Sequence, residues 1–368
     1  MLSAYDHTTE YSHWDSGLWT RVLAASGVRN PLTDKPFTEA MLAGLAGGIG
    51  FMIFTFEYKD TTTASAVTRF HPGPYTENLL RRSGAAVRIQ QTTSAKLAQG
   101  RLDAALDTGV PVVVRVVRGK LPWVAEDPLA DMDSVDLPVV ARIDADYLMD
   151  DGGARLERIS SDALAQARSS RKADKHWQAH VVLGAGAAAL DEELAGDPLT
   201  VEVIRHAMAE TAGELLSEQA PPGVPASYAG NFGILGMQTW VRRLTDRNSK
   251  RGWMRIFSDP ERSAAGMAML HGLLVGRRFS GPGALRPLYA QFLHEVAKTG
   301  EAVSGVERGS LLEAAAQYAA LGAHWDTLVA LVGAPGEPDF AAMAAAVDAI
   351  AVLENAAAGA LEAAAGVI

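Results

Sequence analysis

Tyr11 to Gly27 reads YSHWDSGLWTRVLAASG, which sets a histidine, a tryptophan, an aspartate and a serine at the mouth of an apolar helical pattern. His13 has the basicity that suits proton transfer at neutral pH; its alternative role is a structural histidine flanking a helix start. Asp15 either does chemistry or caps the helix by accepting from unpaired backbone N–H groups, and Ser16 is either a substrate-binding hydroxyl or the cap itself. Trp14 brings a large indole that either packs or walls a substrate pocket. Farther along, Asp136 is a candidate base where desolvation raises its affinity for a proton, and an ordinary strand-end charge otherwise. Arg69, Arg81, Arg82, Arg115 and Arg118 are spread over the same half of the chain, either on solvated faces or around a pocket for sulfate, phosphate or carboxylate.

Composition removes several chemistries. The 368 residues include no cysteine, which excludes disulfides, thiolate metal sites and thiolate nucleophiles. A net charge of -10 disfavours a sequence-independent grip on nucleic acid. His176 and His180 in DKHWQAHVV stand four apart, the spacing of two ligands on one helix face. No HExxH is present, however, and the run has strand character, so no metal is expected. No GxSxG offers a nucleophile elbow, and no cofactor is expected. The first residues lack a basic stretch followed by an apolar one, and no apolar run approaches the roughly 20 residues of a membrane span. A cytoplasmic chain without membrane contact is the resulting expectation.

The elements that must position these residues follow from periodicity. Leu18, Trp19, Val22 and Leu23 recur at helical spacing after Asp15 or Ser16, and Gly27 ends that helix. A second helix starts at Thr38–Glu39 and leads through Gly47, Gly48 and Gly50 into the strand-like IGFMIFTFEY. That order reverses the strand-to-helix order of a phosphate loop, so the glycines mark helix termination and close packing. PYTENLL through VPVVVRVVRG reads helix, strand, helix, strand, DLPVVARIDADYLMDD reads as a further strand, and RISSDALAQARSS as another helix. Beyond about residue 170 long alanine- and leucine-rich helices dominate. QAPPGVPASYAGNFG interrupts them as a loop and FSGPGALRP as a tight turn. The expectation is an α+β protein of two domains, an α/β domain over 1–170 and an α-helical domain over 171–368.

Five segments in this order, FTEAMLAGLAGGIGFMIF, LDTGVPVVVRV, ISSDALAQARSS, RFSGPGALRPLYAQFLHEV and AAQYAALGAHWDTLVALV, resemble the butirosin biosynthesis protein H family. The resemblance implies a papain-like N-terminal domain joined to a helical one. It also implies a cysteine directly after a histidine at the start of the first helix, where unpaired N–H groups and the helix dipole would stabilise a thiolate. His13, Trp14, Asp15 and Ser16 stand at that motif, so tryptophan occupies the nucleophile position. The family's partner histidine precedes a strand that aligns with DLPVVARID, which puts it at Asp136 or Leu137. Both members of the dyad are therefore expected to be lost.

Family activity, transfer of an acyl group from a carrier protein to an amine through the cysteine, is closed to this sequence. What the resemblance leaves is a repurposed enzyme of antibiotic biosynthesis that acts without a nucleophilic residue on a carrier-tethered, amino-acid-derived intermediate. Ring closure fits best, as in the aziridine-forming enzymes of azinomycin-type pathways, which eliminate sulfate; His13 or Asp136 would take the proton and arginines would receive the anion. Direct aminolysis by proximity and a non-catalytic carrier-binding role are the alternatives. A carrier protein is the expected partner, with a small partner subunit or a second copy of the chain also open.

Overall fold

The computed structural model describes residues 5–59, 61–69, 74–125, 134–183, 199–299 and 308–366. In chain order its elements are α1 (Trp14–Ala25), β1 (Arg29–Asn30), β2 (Lys35–Pro36), α2 (Glu39–Leu45), β3 (Met52–Glu57), β4 (Thr62–Val67), α3 (Tyr75–Ser83), β5 (Val87–Gln90), α4 (Ala95–Asp107), β6 (Val112–Val117), β7 (Ser134–Ile143), β8 (Asp146–Met149), β9 (Glu157–Ser160), α5 (Ser161–Ser169) and β10 (Gln178–Val181). The helices α6 (Val201–Leu216), α7 (Gly233–Thr245), α8 (Trp253–Ile256), α9 (Pro260–Val275), α10 (Arg286–Thr299), α11 (Arg308–Val332) and α12 (Phe340–Gly366) follow. The class is α+β, with a sheet in the N-terminal part and helices in the C-terminal part.

The chain forms two compact units, and they are not the consecutive segments 1–170 and 171–368. The first comprises Met1–Tyr11, Asp15–Thr38 and Leu80–Leu199; the second comprises Ser12–Trp14, Glu39–Leu79 and Thr200–Ile368. The physical reason is pairing and packing. β10, from beyond residue 170, lies inside the sheet, while the hairpin β3–β4 packs with helices from beyond residue 200.

In the first unit six strands run β5-β10-β6-β7-β8-β9, every neighbouring pair antiparallel. Valines dominate β6, and five of its six residues are buried because α4 and α5 cover it. The helices are capped as serine chemistry predicts: Ser94 Oγ accepts from the Leu97 amide and Ser160 Oγ from the Ala163 amide. DLPVVARIDADYLMDD is two strands rather than one, because Asp144, at φ 55°, turns β7 back into β8. A buried ion pair, Arg21–Asp150 at 2.7 Å, ties α1 to the residue after β8, and the Tyr5 hydroxyl donates to the same carboxylate at 2.8 Å.

His180, on β10, is buried, and the cost of charging it there, with Arg88 adding repulsion, lowers its pKa to about 4. His176 sits at φ 46° in the turn before the strand, so the two histidines do not share a helix face.

The second unit is organised around aromatic rings and one cation. Phe51 stacks with Trp240 at 5.9 Å, Trp240 meets Trp253 at 5.8 Å, and the three tryptophans Trp240, Trp253 and Trp325 are fully buried. Arg286, fully buried at the start of α10, donates to Glu354 of α12 at 2.5 Å. It also donates to the carbonyls of Thr68, Ala284 and Gly50 at 2.6, 2.8 and 2.9 Å. Trp325 of α11 donates to the same Glu354 oxygen at 3.1 Å. The glycines of the α2–β3 junction allow close approach: Gly48 has φ 59°, and a Cβ there would stand 2.3 Å from the Tyr289 ring.

Among the described residues one helix, α12, is long and apolar enough to cross a membrane by length and composition. Its Glu354 is wholly buried in an ion pair, and it packs on α11, α7 and α6.

Two outcomes follow for stability. Arg286→Met strands a buried carboxylate and should cost about 3–5 kcal/mol in urea unfolding. The pair Arg286→Met/Glu354→Leu should recover only part of this, since the carbonyls of Gly50 and Ala284 still lose their donor; full recovery would show those contacts to be dispensable. His180 stays neutral in the fold, whereas the unfolded chain protonates it near 6.5. Its contribution is therefore complete above that pH, is lost as pH falls, and levels off near 4. His180→Phe should flatten this limb of a stability-against-pH curve relative to the parent.

Candidate functional site

Ser12, His13 and Trp14 belong to the second unit, and their backbone is held at three successive amides. The Glu39 carboxylate, in the first turn of α2, accepts from the Ser12 amide at 3.0 Å and the His13 amide at 2.7 Å. The Trp14 amide donates to the Arg277 carbonyl at 2.8 Å. Gly281, at φ 76°, approaches so closely that a Cβ would stand 2.4 Å from the Ser12 carbonyl oxygen. A side chain at 281 would thus be strained in itself and would collide with the segment that carries the histidine.

Around this fixed segment the side chains form a graded cluster. The His13 ring, wholly buried, meets the Tyr75 ring edge-on at 4.9 Å. The Arg69 guanidinium lies 5.0 Å from the Tyr75 ring centroid, and the Arg278 guanidinium lies 5.2 Å from that of Trp14. His13 and Tyr75 are buried, whereas Trp14, Arg69 and Arg278 keep partial exposure. The Thr68 amide, one residue before Arg69, donates to Ser280 Oγ at 3.3 Å, two residues after Arg278. A proton-accepting ring, a phenol, an indole and two cations are therefore carried by segments bonded to one another. Such a set can hold an anionic group and accept a proton.

The remaining sequence-derived candidates stand elsewhere. Helix α1 begins at Trp14, so Asp15 and Ser16 are its second and third residues rather than its cap. Asp15 sits in the first turn, where a carboxylate complements the dipole, and Ser16 is buried. Asp136, on β7, faces Arg115 of β6 across the register. Both of its oxygens accept from that guanidinium, at 2.7 and 2.9 Å, and Arg115 in turn lies 4.5 Å over Trp177. Such a bidentate pair engages the lone pairs a base would use. Arg118 is 4.0 Å from Asp151, which also accepts from Trp123 at 2.9 Å. Arg81 and Arg82 occupy the last turn of α3, the first exposed and the second buried.

The structure thus groups His13, Trp14 and Arg69, and assigns Asp15, Ser16, Asp136, Arg81, Arg82, Arg115 and Arg118 to the other unit. Tyr75, Arg278 and Glu39 are the site residues that sequence reasoning passed over. Tyr75 follows a proline at a helix start, and Arg278 opens the RFSGPGALRP turn, so both lay beside recognisable signals. Among the described residues no three His, Asp or Glu side chains gather as a metal site.

Fold and site together define an α+β protein whose first helix opens on an indole directly after a buried histidine, with two arginines in the same unit. Residues 13–151 match the family model described as butirosin biosynthesis protein H, N-terminal, and the match begins at His13. No curated protein matches the chain.

Glu39 holds two amides with one carboxylate. Glu39→Ala should cost about 1–3 kcal/mol in urea unfolding, and Glu39→Gln, which keeps one acceptor oxygen but turns an NH2 toward the second amide, should cost less than Ala without restoring the parental stability. Full parental stability in Glu39→Gln would show that one of the two amide contacts is dispensable.

Proposed function

We propose that the chain is an antibiotic-biosynthesis enzyme of the cytoplasm that closes a ring within an amino-acid-derived intermediate tethered to a carrier protein, without a nucleophilic residue. The family match over residues 13–151 supports the biosynthetic setting. The absence of any cysteine rules out a thiolate mechanism. The observation that carries the reading is the His13–Tyr75–Arg69 series, with Arg278 on Trp14, which sets a proton acceptor near cations in one unit.

The reaction needs only positioning and charge. The substrate amine attacks the neighbouring carbon, the C–O bond to sulfate breaks with its electron pair leaving on the sulfate, and the proton released from nitrogen passes to His13. Arg69 and Arg278, partly exposed with Trp14, receive the departing anion, which stabilises charge where it develops. The product is an aziridine. Asp136 is the weaker candidate base, since Arg115 occupies both its oxygens.

Incubation of the purified chain with sulfated, carrier-bound intermediates should show loss of the sulfate mass. His13→Asn and Arg69→Gln should each slow that loss by about tenfold or more. Gain of an acyl group on an added amine would instead support an amide-forming transferase. Tight carrier binding with no mass change would support a non-catalytic binding role.

A further inference from the structure

A concavity in the helical unit, of about 570 Å³, is lined by β3, the turn at 227–231 and the end of α7 with the loop after it. That volume is in the range of pockets that enclose small organic ligands. One wall is aromatic. Phe54 and Phe56 project from the same face of β3 and lie nearly parallel at 5.7 Å, and Tyr228 stands 5.8 Å from Phe54. Phe56 is 43% exposed and Tyr228 40%, so large apolar rings are presented to solvent where a planar group could cover them.

The opposite wall is cationic. Arg242, Arg243 and Arg251 line the pocket, and among the described residues none of the three makes an ion pair. Asp246 is the one acidic residue of the lining, and its oxygens already accept from the amides of Asn248 and Ser249 and from the Ser249 hydroxyl. Burial, with repulsion from Arg251 and Arg242, lowers the pKa of Arg243, so the fold bears a cost for holding the three together. In a chain of net charge -10, a cluster of mutually repelling guanidiniums without a carboxylate partner is a site for an anion brought from outside.

We propose that this pocket binds a nucleoside phosphate, its base covering the Phe54, Phe56 and Tyr228 rings and its phosphate meeting Arg242, Arg243 and Arg251. Neither half of that chemistry explains the pocket alone. A simple anion leaves the rings exposed, and an apolar ligand leaves the cations without a counter-charge. The nucleoside phosphate could be a free nucleotide or the nucleotide end of a coenzyme A thioester. The proposal does not depend on the ring-closing reaction or on the site at His13.

Calorimetric titration of the full chain with AMP, coenzyme A, adenosine and inorganic phosphate tests it. AMP or coenzyme A should bind about tenfold or more tightly than adenosine or phosphate. Coenzyme A binding well above AMP would assign the thioester source, and comparable binding the free nucleotide. Phe56→Ala and Arg242→Gln remove exposed side chains and should keep the parental melting temperature while weakening binding about tenfold; Arg243→Gln should do at least as much. Binding no tighter than that of inorganic phosphate, affinity unchanged in these variants, or no detectable binding at millimolar ligand would overturn the proposal.

Discussion

The helical unit depends on Arg286. One buried guanidinium bonds to a carboxylate on α12 and to carbonyls at Gly50, Thr68 and Ala284, so the ends of the β3–β4 hairpin and the turn before α10 are held to the long helices by a single group. Burying that charge is tolerable only because Glu354 neutralises it and the carbonyls complete its donor geometry. Ala284 and Leu285 lie at φ 55° and 66°, a region that side chains rarely enter. The bond from Arg286 to the Ala284 carbonyl is part of what holds this strained turn in place.

The candidate site is a dependent of the same turn. Gly281 sits against Ser12, the Arg277 carbonyl takes the Trp14 amide, and Ser280 takes the amide of Thr68, whose carbonyl belongs to Arg286. Position of the histidine, the indole and the two arginines is therefore set by a backbone fold that arises far along the sequence. A site with two buried members and three partly exposed ones suits recognition of a charged group at the rim and proton movement further in.

Much of the fold was legible because it rests on short-range signals. The valine run of β6, the serine caps at Ser94 and Ser160, and the helical spacing of α1 and the late helices are all local. The hairpin turn at Asp144 escaped, since its residue is one of the few non-glycines that tolerate a left-handed backbone locally. β10 was legible as strand-like but not as a member of the sheet, because its pairing with β5 and β6 joins residues such as Gln178 and Gln90, and Gln178 and Val114, far apart in sequence, which periodicity does not encode. At the site, the type of His13 was informative and its neighbours were not. Tyr75 and Arg278 come from segments 62 and 265 residues away, by subtraction of the residue numbers. Arg115 and Asp136 show the converse, two charges read as separate candidates that the register of β6 and β7 makes partners.

The interleaving of the two units also governs how the chain must be made. During synthesis residues 39–79 leave the ribosome long before α6 to α12, with which they pack, and β5 and β6 leave before β10, the strand that lies between them. Neither unit closes while the chain is half made: the early hairpin waits with apolar faces uncovered, and the sheet waits with a gap between two of its strands. No point between residues 39 and 199 is therefore a seam at which the chain divides into two self-sufficient proteins.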